Sequence, residues 1–419
     1  MANGEVVTAK SPFVVMAKPV GSLCNQRCEY CYYLGTAEQL DNARAGRMSD
    51  ELLETFVRGY IESSPGPIVQ FTWHGGEPTL AGLDFYRRAV ELQKEYLPAG
   101  WSCWNNLQTN GLLLDDEWCE FIAEEKFDVG LSVDGDVQNH DLMRHDVGGA
   151  GTWERVAASA RRLMEHGVKP DLLCTVTSYA AERPLEVYRA LREFGTGWIQ
   201  FIPIVRSDGE GGFTPDSVTA EGYGHFLCEI FDEWVRHDVG TTEIQLFAET
   251  THVWGGGAPS LCWMCDTCGR ALIVERDGGI YSCDHFVDLD HRLGSVTTDS
   301  LGACADSEAQ TRFGLEKRDG LDETCRRCKY MHICGGGCPK DRQDGKNVLC
   351  AGLYRFFSHS ESLLRVLADL RKRGASRQTQ QETMLRSLAE MWRGVGRNDP
   401  CPCGSGLKAK KCCWDKRVS

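Results

Sequence analysis

The chain has 419 residues, of which 42% are hydrophobic and 25% are charged, and this composition predicts a globular protein of two or three domains. The net charge of -14 argues against nucleic acid as the main partner. We predict neither a membrane span nor a signal peptide, because the sequence has no run of about 18 apolar residues and residues 1–18 lack a charged segment before an apolar core.

The 21 cysteines cluster at short spacings. This favours metal or cluster ligation in a reduced, cytoplasmic protein over a secreted disulfide framework. The first group follows the predicted strand Phe13–Val20, where Cys24, Cys28 and Cys31 form the pattern C-x3-C-x2-C. Three thiolates can hold three irons of a four-iron cluster and leave the fourth iron open to a substrate or cofactor. A zinc knuckle is the alternative that this spacing alone leaves open.

Apolar runs rich in β-forming residues alternate with helical patterns through the first half of the chain. The predicted strands are Phe13–Val20, Ile68–Trp73, Ser102–Gln108, Phe127–Val133, Leu172–Thr177 and Trp198–Ile204. The predicted helices are one that follows an N-cap at Ser49, and Asp84–Glu95, Asp115–Glu125, Trp153–His166 and Pro184–Phe194. This alternation predicts an α/β fold with a parallel sheet, in which functional side chains lie at the C-terminal ends of the strands.

Polar motifs directly follow three of these strands. They read His-Gly-Gly-Glu-Pro at 74–78, Gln-Thr-Asn-Gly at 108–111 and Ser-Val-Asp-Gly at 132–135. The paired glycines allow the backbone to approach a ligand closely, Glu77 suits an ammonium group, and Arg144 suits a carboxylate. Asn-Gly and Asp-Gly also form ordinary turns, and taken alone those two motifs favour that interpretation.

The second half carries two further groups of cysteines. Between Cys262 and Cys350 the spacing is C-x5-C-x14-C and then C-x2-C-x5-C-x3-C, with the last cysteine after eleven more residues. Four thiolates around an iron–sulfur cluster leave no open iron, which indicates electron transfer, and a four-cysteine zinc site is the alternative. Asp284 directly follows Cys283, and a carboxylate in that position either takes a proton from a substrate or caps a turn. The isolated cysteines Cys103, Cys119, Cys174 and Cys228 are predicted to be core residues.

The C-terminal part has helical patterns over Glu361–Leu370 and Glu382–Trp392, separated by a polar stretch at 374–381. A separate motif follows, in which Cys401 and Cys403 are divided from Cys412 and Cys413 by a glycine turn. These four thiols match the ligand set of a tetrahedral zinc site.

The motifs of the first half together resemble one branch of the radical S-adenosylmethionine (SAM) enzymes, the anaerobic sulfatase-maturating enzymes. The likeness spans about residues 13–356 and includes Tyr30 before the third cysteine of the first group. It implies a partial (β/α)6 TIM-like radical SAM barrel, a cysteine-rich SPASM domain with two auxiliary iron–sulfur clusters, and a small C-terminal zinc module. The implied domains are a barrel at 1–240, the SPASM domain at 241–356, a helical linker at 357–395 and the zinc module at 396–419.

The resemblance also implies a role for each group of site residues. Three [4Fe-4S] clusters are expected, the first on Cys24, Cys28 and Cys31 with SAM on its open iron. SAM is expected to contact Tyr30, Gly75, Gly76, Glu77, Ser132, Arg144 and Val205, the last in place of a leucine. The first auxiliary cluster is assigned to Cys262, Cys268, Cys283 and Cys338, and the second to Cys325, Cys328, Cys334 and Cys350. Cys265, an extra thiol, leaves open the choice among the first ligands, and Asp284 is assigned as the general base.

The terminal motif resembles the SEC-C module, with Cys413 in place of the usual histidine and one zinc expected. The resemblance as a whole implies that a cysteine or serine in a sulfatase segment similar to Cys/Ser-x-Pro/Ala-x-Arg is oxidised to Cα-formylglycine under anaerobic conditions. SAM is expected to yield methionine and 5′-deoxyadenosine, with a flavodoxin or ferredoxin as reductant. The alternatives are another radical SAM/SPASM peptide-modifying enzyme, such as one that forms thioethers, and a non-catalytic zinc or iron–sulfur protein.

Overall fold

The computed structural model describes residues 6–34 and 46–416, so the first five residues of the segment searched for a signal peptide lie outside the described part. By its packing the chain forms two compact units. The first comprises residues 1–133, 140–171 and 267–319, and the second comprises residues 134–139, 172–266 and 320–419. The four domains predicted from the motifs divide the chain differently and stay a prediction.

The strands and helices have the following bounds. In chain order the strands are β1 Val14–Lys18, β2 Gln26–Cys28, β3 Ile68–Trp73, β4 Ser102–Thr109, β5 Asp128–Ser132, β6 Arg144–Asp146, β7 Asp171–Val176, β8 Trp198–Pro203, β9 Glu243–Ile244, β10 Ala271–Glu275, β11 Gly279–Tyr281, β12 Arg292–Ser295, β13 Arg342–Gln343 and β14 Lys346–Asn347. The α-helices are Asp50–Ser63, Leu83–Tyr96, Asp116–Glu124, Val137–Met143, Trp153–Glu165, Ser178–Ala181, Pro184–Glu193, Ala220–His237, Gln245–Trp254, Leu301–Ala305, Glu308–Asp319, Glu323–Arg326, Met331–Cys334, Cys350–Lys372 and Arg377–Trp392. Across residues 6–34 and 46–416, no helix has the length and apolar character that a membrane crossing requires.

The first unit is built on a sheet in which the strand order is β12-β11-β10-β1-β3-β4-β5. The strands from β10 to β5 pair in parallel, whereas β10, β11 and β12 form an antiparallel meander. Parallel pairing brings the C-terminal ends of β1, β3, β4 and β5 to one edge of the sheet. A short antiparallel ribbon of β2 and β6 pairs the first cysteine group with the segment that begins at Arg144.

Aromatic side chains fill the core of the first unit between its sheet and its helices. Trp73 is fully buried, and its ring packs edge-on against Phe85 at 5.9 Å and Tyr86 at 5.5 Å between ring centroids. Phe56, from the helix Asp50–Ser63, packs edge-on against Phe71 at 5.7 Å. Rings of this size bury large apolar areas, so they fix the helices Asp50–Ser63 and Leu83–Tyr96 on the sheet that carries the site.

The second unit contains the parallel strands β7, β8 and β9 and the two longest helices of the described part, Ala220–His237 and Cys350–Lys372. These helices cross at Gly224 and Gly352, where a Cβ atom on Gly352 would lie 2.1 Å from the carbonyl oxygen of Ala220. No side chain fits at that distance, so glycine allows the two backbones to touch. In the adjoining core Phe356 stacks on Phe247, with 5.1 Å between their ring centroids.

All six predicted strands are confirmed, with ends shifted by no more than two residues, and so is the N-cap at Ser49, whose side chain accepts from Leu52 N at 3.2 Å. The four helices predicted with bounds in the first half are also confirmed. Cys119, Cys174 and Cys228 are buried as predicted, whereas Cys103 is only partly buried. The helices Ala220–His237 and Gln245–Trp254 were not predicted.

The predicted bounds of the C-terminal helices were wrong. The first begins at Cys350 rather than Glu361, because Phe356 and Phe357 are buried in the core and extend the helix through a polar run. The second begins at Arg377, inside the stretch predicted as a separator, because the side chain of Ser376 caps it and accepts from Thr379 N.

Candidate active site and metal-binding cysteines

Cys24 lies in the loop after β1, Cys28 ends β2 and Cys31 follows β2, all in the first unit. Cys28 lies opposite Arg144 in the ribbon of β2 and β6, and Cys31 N donates to Cys28 O at 3.1 Å. Burial raises the pKa of the Cys24 thiol to about 12, and the neighbouring Glu77, Cys28 and Cys31 add to the shift. The three thiols are thus neighbours in a partly buried segment. Because a metal ion binds the thiolate form of cysteine, it would displace the protons of these thiols.

The Gly-Gly-Glu turn after β3 packs directly on this cysteine loop. Gly76 N donates to Gly21 O and Glu77 N donates to Leu23 O, both at 2.8 Å. A Cβ atom on Gly76 would lie 2.2 Å from the carbonyl oxygen of Leu23. The close approach requires glycine at position 76 and fixes the turn against the loop that carries Cys24.

Glu77 is fully buried at the end of this turn. Its Oε1 accepts from Thr79 and from Thr109 Oγ1 at 2.7 Å, and its Oε2 accepts from Asn110 N at 2.8 Å. Burial raises the pKa of the Glu77 carboxyl, and these hydrogen bonds oppose the rise. They also fix the orientation of the carboxylate. Asn110 Nδ2 in turn donates to Asn25 Oδ1 at 2.8 Å and lies 3.8 Å from Cys24 Sγ, so the ends of β3 and β4 hold the cysteine loop.

The other residues assigned to SAM lie as follows. The Arg144 guanidinium lies 5.4 Å from the ring centroid of Tyr30, and both side chains are buried. Ser132, at the end of β5, has its Oγ within 3.3 Å of Gln108 Nε2. The structure therefore brings Arg144 and Tyr30 together beside the loop of Cys28. Val205 follows β8 and belongs to the second unit.

Asp284 lies in the turn after β11 and is held from two sides. Lys18 Nζ, at the end of β1, lies 2.5 Å from Asp284 Oδ1, and Tyr32 Oη donates to Asp284 Oδ2 at 2.6 Å. Lys18 is fully buried and also donates to His74 Nδ1 at 2.9 Å. His74 Nδ1 accepts from Gly75 N at 2.7 Å as well, so the proton of the neutral ring is on Nε2.

These contacts set the protonation state of the group. Burial alone would raise the pKa of Asp284, but the Lys18 ammonium and the nearby His74 and His285 hold it well below the usual carboxyl range. Burial and the Lys18 charge lower the pKa of His74 to about 3. At neutral pH the cluster therefore consists of an ionised carboxylate, an ammonium group and a neutral imidazole. Its carboxylate can accept a proton, and Lys18 and Tyr32 fix the orientation of that carboxylate.

Sequence reasoning assigned no role to Lys18, Tyr32 or His74. Lys18 ends an otherwise apolar strand, and a lysine in a buried run requires a partner, which is a signal that the sequence did contain. In the sequence, Tyr32 and His74 stand out only because they lie next to motif residues. Their spacing gives no sign that they contact Asp284.

The second auxiliary set, Cys325, Cys328, Cys334 and Cys350, lies within the second unit. Burial raises the pKa of the Cys334 thiol to about 11, and the nearby Cys350, Cys325 and Cys328 add to the shift. Cys328 N donates to Cys325 O at 3.0 Å, and Cys350 is the first residue of the long helix Cys350–Lys372. The four thiols thus gather where two short helices meet the start of a long one.

The first auxiliary set divides between the units, with Cys268 and Cys283 in the first and Cys262 and Cys338 in the second, so its assembly stays a prediction. Within the second unit Cys262 is close enough to Cys338 to help raise its pKa, after the larger effect of burial. The extra thiol, Cys265, donates from Sγ to Pro259 O at 3.1 Å. The choice among Cys262, Cys265 and Cys268 as first ligands stays a prediction.

The terminal cysteines form a compact group. Cys401, Cys403, Cys412 and Cys413 have sulfur atoms that all lie within 4.8 Å of one another. Among them, Cys412 Sγ is 3.4 Å from Cys403 Sγ and 3.5 Å from Cys413 Sγ. Four sulfurs at such separations match the corners of a tetrahedral metal site.

Comparisons with known proteins agree with this geometry. Residues 19–196 match the family model of the radical SAM superfamily, residues 265–329 match the SPASM iron–sulfur cluster-binding domain, and residues 397–415 match the SEC-C motif. The chain has a parallel sheet with a three-cysteine loop after β1, and a cysteine-rich domain follows. These features define a radical SAM enzyme with a SPASM extension.

Relatives define the family more narrowly. The serine-type anaerobic sulfatase-maturating enzyme of Bacteroides thetaiotaomicron is 42% identical over 83% of this chain and 89% of its own length. The cysteine-type enzyme of Clostridium perfringens is 31% identical over 83% of this chain and 96% of its own length. The solved structure of native anSMEcpe with bound AdoMet and a peptide matches with a TM-score of 0.78 at 31% identity, over 86% of this chain and 99% of that one. The chain belongs to the anaerobic sulfatase-maturating enzymes.

Proposed function

We propose that this enzyme oxidises a cysteine or serine side chain of a sulfatase polypeptide to Cα-formylglycine. The observation that carries the proposal is the ionised Asp284, held by Lys18 and Tyr32 in the same unit as the three-cysteine loop. The relatives named as sulfatase-maturating enzymes, and the solved relative with AdoMet and a peptide bound, support this substrate class.

The residues of the first unit suit an iron–sulfur cluster and SAM. Cys24, Cys28 and Cys31 hold three irons of the cluster and leave one iron for SAM. Gly75 and Gly76 allow the turn to lie against the backbone of the cysteine loop, where the turn can offer backbone groups to SAM. The buried carboxylate of Glu77 suits the methionyl ammonium group. Tyr30, Ser132 and Arg144 of this unit are also assigned to SAM, and so is Val205 of the second unit. When bound, the cluster and SAM supply the radical that removes a hydrogen atom from the substrate β-carbon, and SAM ends as methionine and 5′-deoxyadenosine.

Asp284 performs the proton transfer of the reaction. The oxidation removes one hydrogen atom from carbon, one proton from the sulfur or oxygen, and one electron. Asp284 accepts the proton, Lys18 keeps its carboxylate ionised, and Lys18 and Tyr32 together orient it. For serine the product is the aldehyde itself, and for cysteine a thioaldehyde forms that water converts to the aldehyde with release of hydrogen sulfide.

Two auxiliary clusters, when bound, would supply the path for the electron. Cys262, Cys268, Cys283 and Cys338 would hold the first, and Cys325, Cys328, Cys334 and Cys350 would hold the second. Full ligation by four thiolates suits electron transfer, since no iron remains open to substrate. Asp284 is the chain neighbour of Cys283, so the proposed base is adjacent in sequence to a proposed ligand of the first auxiliary cluster. A flavodoxin or ferredoxin in the cytoplasm reduces the SAM cluster.

The C-terminal module holds one zinc ion on Cys401, Cys403, Cys412 and Cys413. The grouping of four thiols within 4.8 Å carries this part of the proposal. Four thiolates around zinc form a closed, structural site. Metal analysis of the anaerobically reconstituted protein should find about twelve irons and one zinc per chain.

The activity is tested with a peptide of the form Cys-x-Pro-x-Arg, its serine version and an alanine version as control. We expect the aldehyde product, detected by mass and by reaction with a hydrazine, in the cysteine or serine peptide, with 5′-deoxyadenosine formed alongside. Rapid SAM cleavage without any aldehyde in either peptide would instead favour another peptide modification.

A further inference from the structure

The side chain of Asn110 lies against the first cysteine of the three-cysteine loop, and both belong to the first unit. Asn110 directly follows β4 and is only 6% exposed. Its Nδ2 atom donates to Asn25 Oδ1 at 2.8 Å and to Cys24 Sγ at 3.8 Å, the longer distance being that of a bond to the larger sulfur atom. The two hydrogens of the amide are therefore both engaged, one with an oxygen and one with a sulfur.

The surroundings of Asn110 determine which end of its amide faces the sulfur. Asn110 Oδ1 accepts from Leu112 N at 3.0 Å, and only the oxygen end of the amide can accept from a backbone N–H. The nitrogen end therefore points toward Asn25 and Cys24. The backbone N of Asn110 also donates to Glu77 Oε2 at 2.8 Å. Because backbone and side chain are both held, the donor is fixed in place beside the sulfur.

We propose that Asn110 is an outer-sphere positioning residue that donates a hydrogen bond to the Cys24 thiolate and thereby raises the reduction potential of the SAM cluster. This inference rests on the cluster that the proposed function assigns to Cys24, Cys28 and Cys31. The amide of Asn110 donates at every working pH, because it has no titratable proton in that range.

Hydrogen bonds to the sulfurs of an iron–sulfur cluster are one of the factors that set its potential. Reduction adds a negative charge to the cluster and its thiolates, so a nearby N–H dipole stabilises the reduced form more than the oxidised form. Burial of Asn110 strengthens this effect, since the local dielectric is low. A second donor acts on the same sulfur, because Gln26 N donates to Cys24 Sγ at 3.3 Å. That donor belongs to the backbone, so a substitution can remove the contribution of Asn110 and leave the other in place.

The test is a redox titration of the full, iron-loaded chain, followed by electron paramagnetic resonance. The SAM cluster is recognised by the change in its signal when SAM is added. We expect Asn110→Leu, which keeps the size of the side chain but has no N–H, to lower the ratio of reduced to oxidised SAM cluster at a fixed potential by about three- to tenfold. Tenfold corresponds to about 59 mV for a one-electron couple. Asn110→Ala should shift the potential in the same direction and is measured in its place if leucine prevents cluster assembly.

Two control variants separate the N–H donor from the packing around it. Asn106→Leu is the same exchange on β4, at an amide nitrogen that has no hydrogen-bond partner among residues 6–34 and 46–416, and it should leave the potential unchanged. Asn25→Ala removes the other partner of Asn110 Nδ2 but keeps the donor to Cys24, so it should retain most of the wild-type potential. Formation of 5′-deoxyadenosine by Asn110→Leu should fall with a weak reductant and recover with a strong one.

The outcomes separate this inference from the proposed function. A wild-type chain without a SAM-sensitive cluster signal would contradict the proposed function itself. A wild-type chain with that signal, together with an unchanged potential in Asn110→Leu and Asn110→Ala, would overturn the role of Asn110 alone. An equal fall in Asn25→Ala and Asn110→Leu would also overturn it, because the effect would then come from the packing of the loop. Loss of the SAM cluster from both Asn110 variants would make Asn110 necessary for assembly, which contradicts a role in setting the potential.

Discussion

Lys18 and Asp284 are separated by 266 positions in the sequence, yet Lys18 Nζ lies 2.5 Å from Asp284 Oδ1. The parallel pairing of β1 with β10 brings them together, because Lys18 ends β1 and Asp284 follows the hairpin of β10 and β11. The pair joins the strand that leads into the three-cysteine loop to the turn after Cys283. It thereby couples the position of the proposed base to the loop that holds the proposed SAM cluster.

Replacement of Asp284 by asparagine should suppress formylglycine formation. The amide keeps the size of the side chain but is a very weak proton acceptor, and loss of a general base typically lowers the rate by about 100-fold or more. Iron content and SAM cleavage should persist, because Asp284 is not one of the proposed cluster ligands. Asp290→Asn, at an exposed position of the following turn, is the matched control. Undiminished aldehyde formation by Asp284→Asn would remove Asp284 from the mechanism.

Replacement of Lys18 by methionine should shift the pH dependence of the reaction. In the wild type the Lys18 ammonium holds the pKa of Asp284 well below the usual carboxyl range, so the carboxylate is ionised at every working pH. Without that charge, burial raises the pKa of Asp284, and the active ionised form is lost as the pH falls. Activity of the variant should therefore decline in mildly acidic buffer and recover in alkaline buffer. The measurement is aldehyde formation across pH for both proteins, and parallel profiles would contradict the role of Lys18.

The strands and the Cys24–Cys31 group could be predicted because each is a local pattern. Alternating apolar runs and cysteine spacing lie within a few residues, and the strands near Ile68 and Trp198 were found with nearly their observed bounds. The Lys18–Asp284 pair could not be predicted, since it depends on which strand lies beside β1 in the sheet. The contact of Asn110 with Cys24 could not be predicted for a similar reason, because 86 positions separate the two residues in the sequence.

Replacement of Gly76 by alanine should disturb the first cysteine loop. The added Cβ would lie 2.2 Å from the carbonyl oxygen of Leu23, a backbone atom that moves only with the loop itself. Overpacking of this kind typically costs about 1–3 kcal/mol, and here the displaced segment includes Cys24. We expect weaker SAM binding and less 5′-deoxyadenosine, measured by equilibrium binding and by product analysis. Gly59→Ala is the matched control, because its Cβ meets nothing within 4 Å and lies in the helix Asp50–Ser63, where alanine is favourable.

Replacement of Cys334 by alanine should remove one auxiliary cluster. Its thiol is close to Cys325, Cys328 and Cys350, and a cluster deprived of one of four thiolates is poorly held. Iron should fall by about four per chain, with SAM cleavage retained and aldehyde formation reduced. Cys265→Ser is the matched control, since Cys265 donates to Pro259 O and is not assigned as a ligand. A loss of iron in Cys265→Ser equal to that in Cys334→Ala would require a different ligand set.

Replacement of Gly352 by alanine should separate the two long helices of the second unit. The new Cβ would lie 2.1 Å from the carbonyl oxygen of Ala220, so the helices Ala220–His237 and Cys350–Lys372 have to move apart or shift along each other. We expect a loss of about 1–3 kcal/mol in the free energy of unfolding, the usual cost of overpacking, seen as a lower melting temperature. Because the second helix begins at Cys350, the same shift should weaken the cluster on Cys325, Cys328, Cys334 and Cys350 and make its iron easier to chelate. Ser362→Ala, at an exposed position of that helix, should leave both properties unchanged. An unchanged melting temperature in Gly352→Ala would mean that the helix crossing tolerates a methyl group and does not fix the position of Cys350.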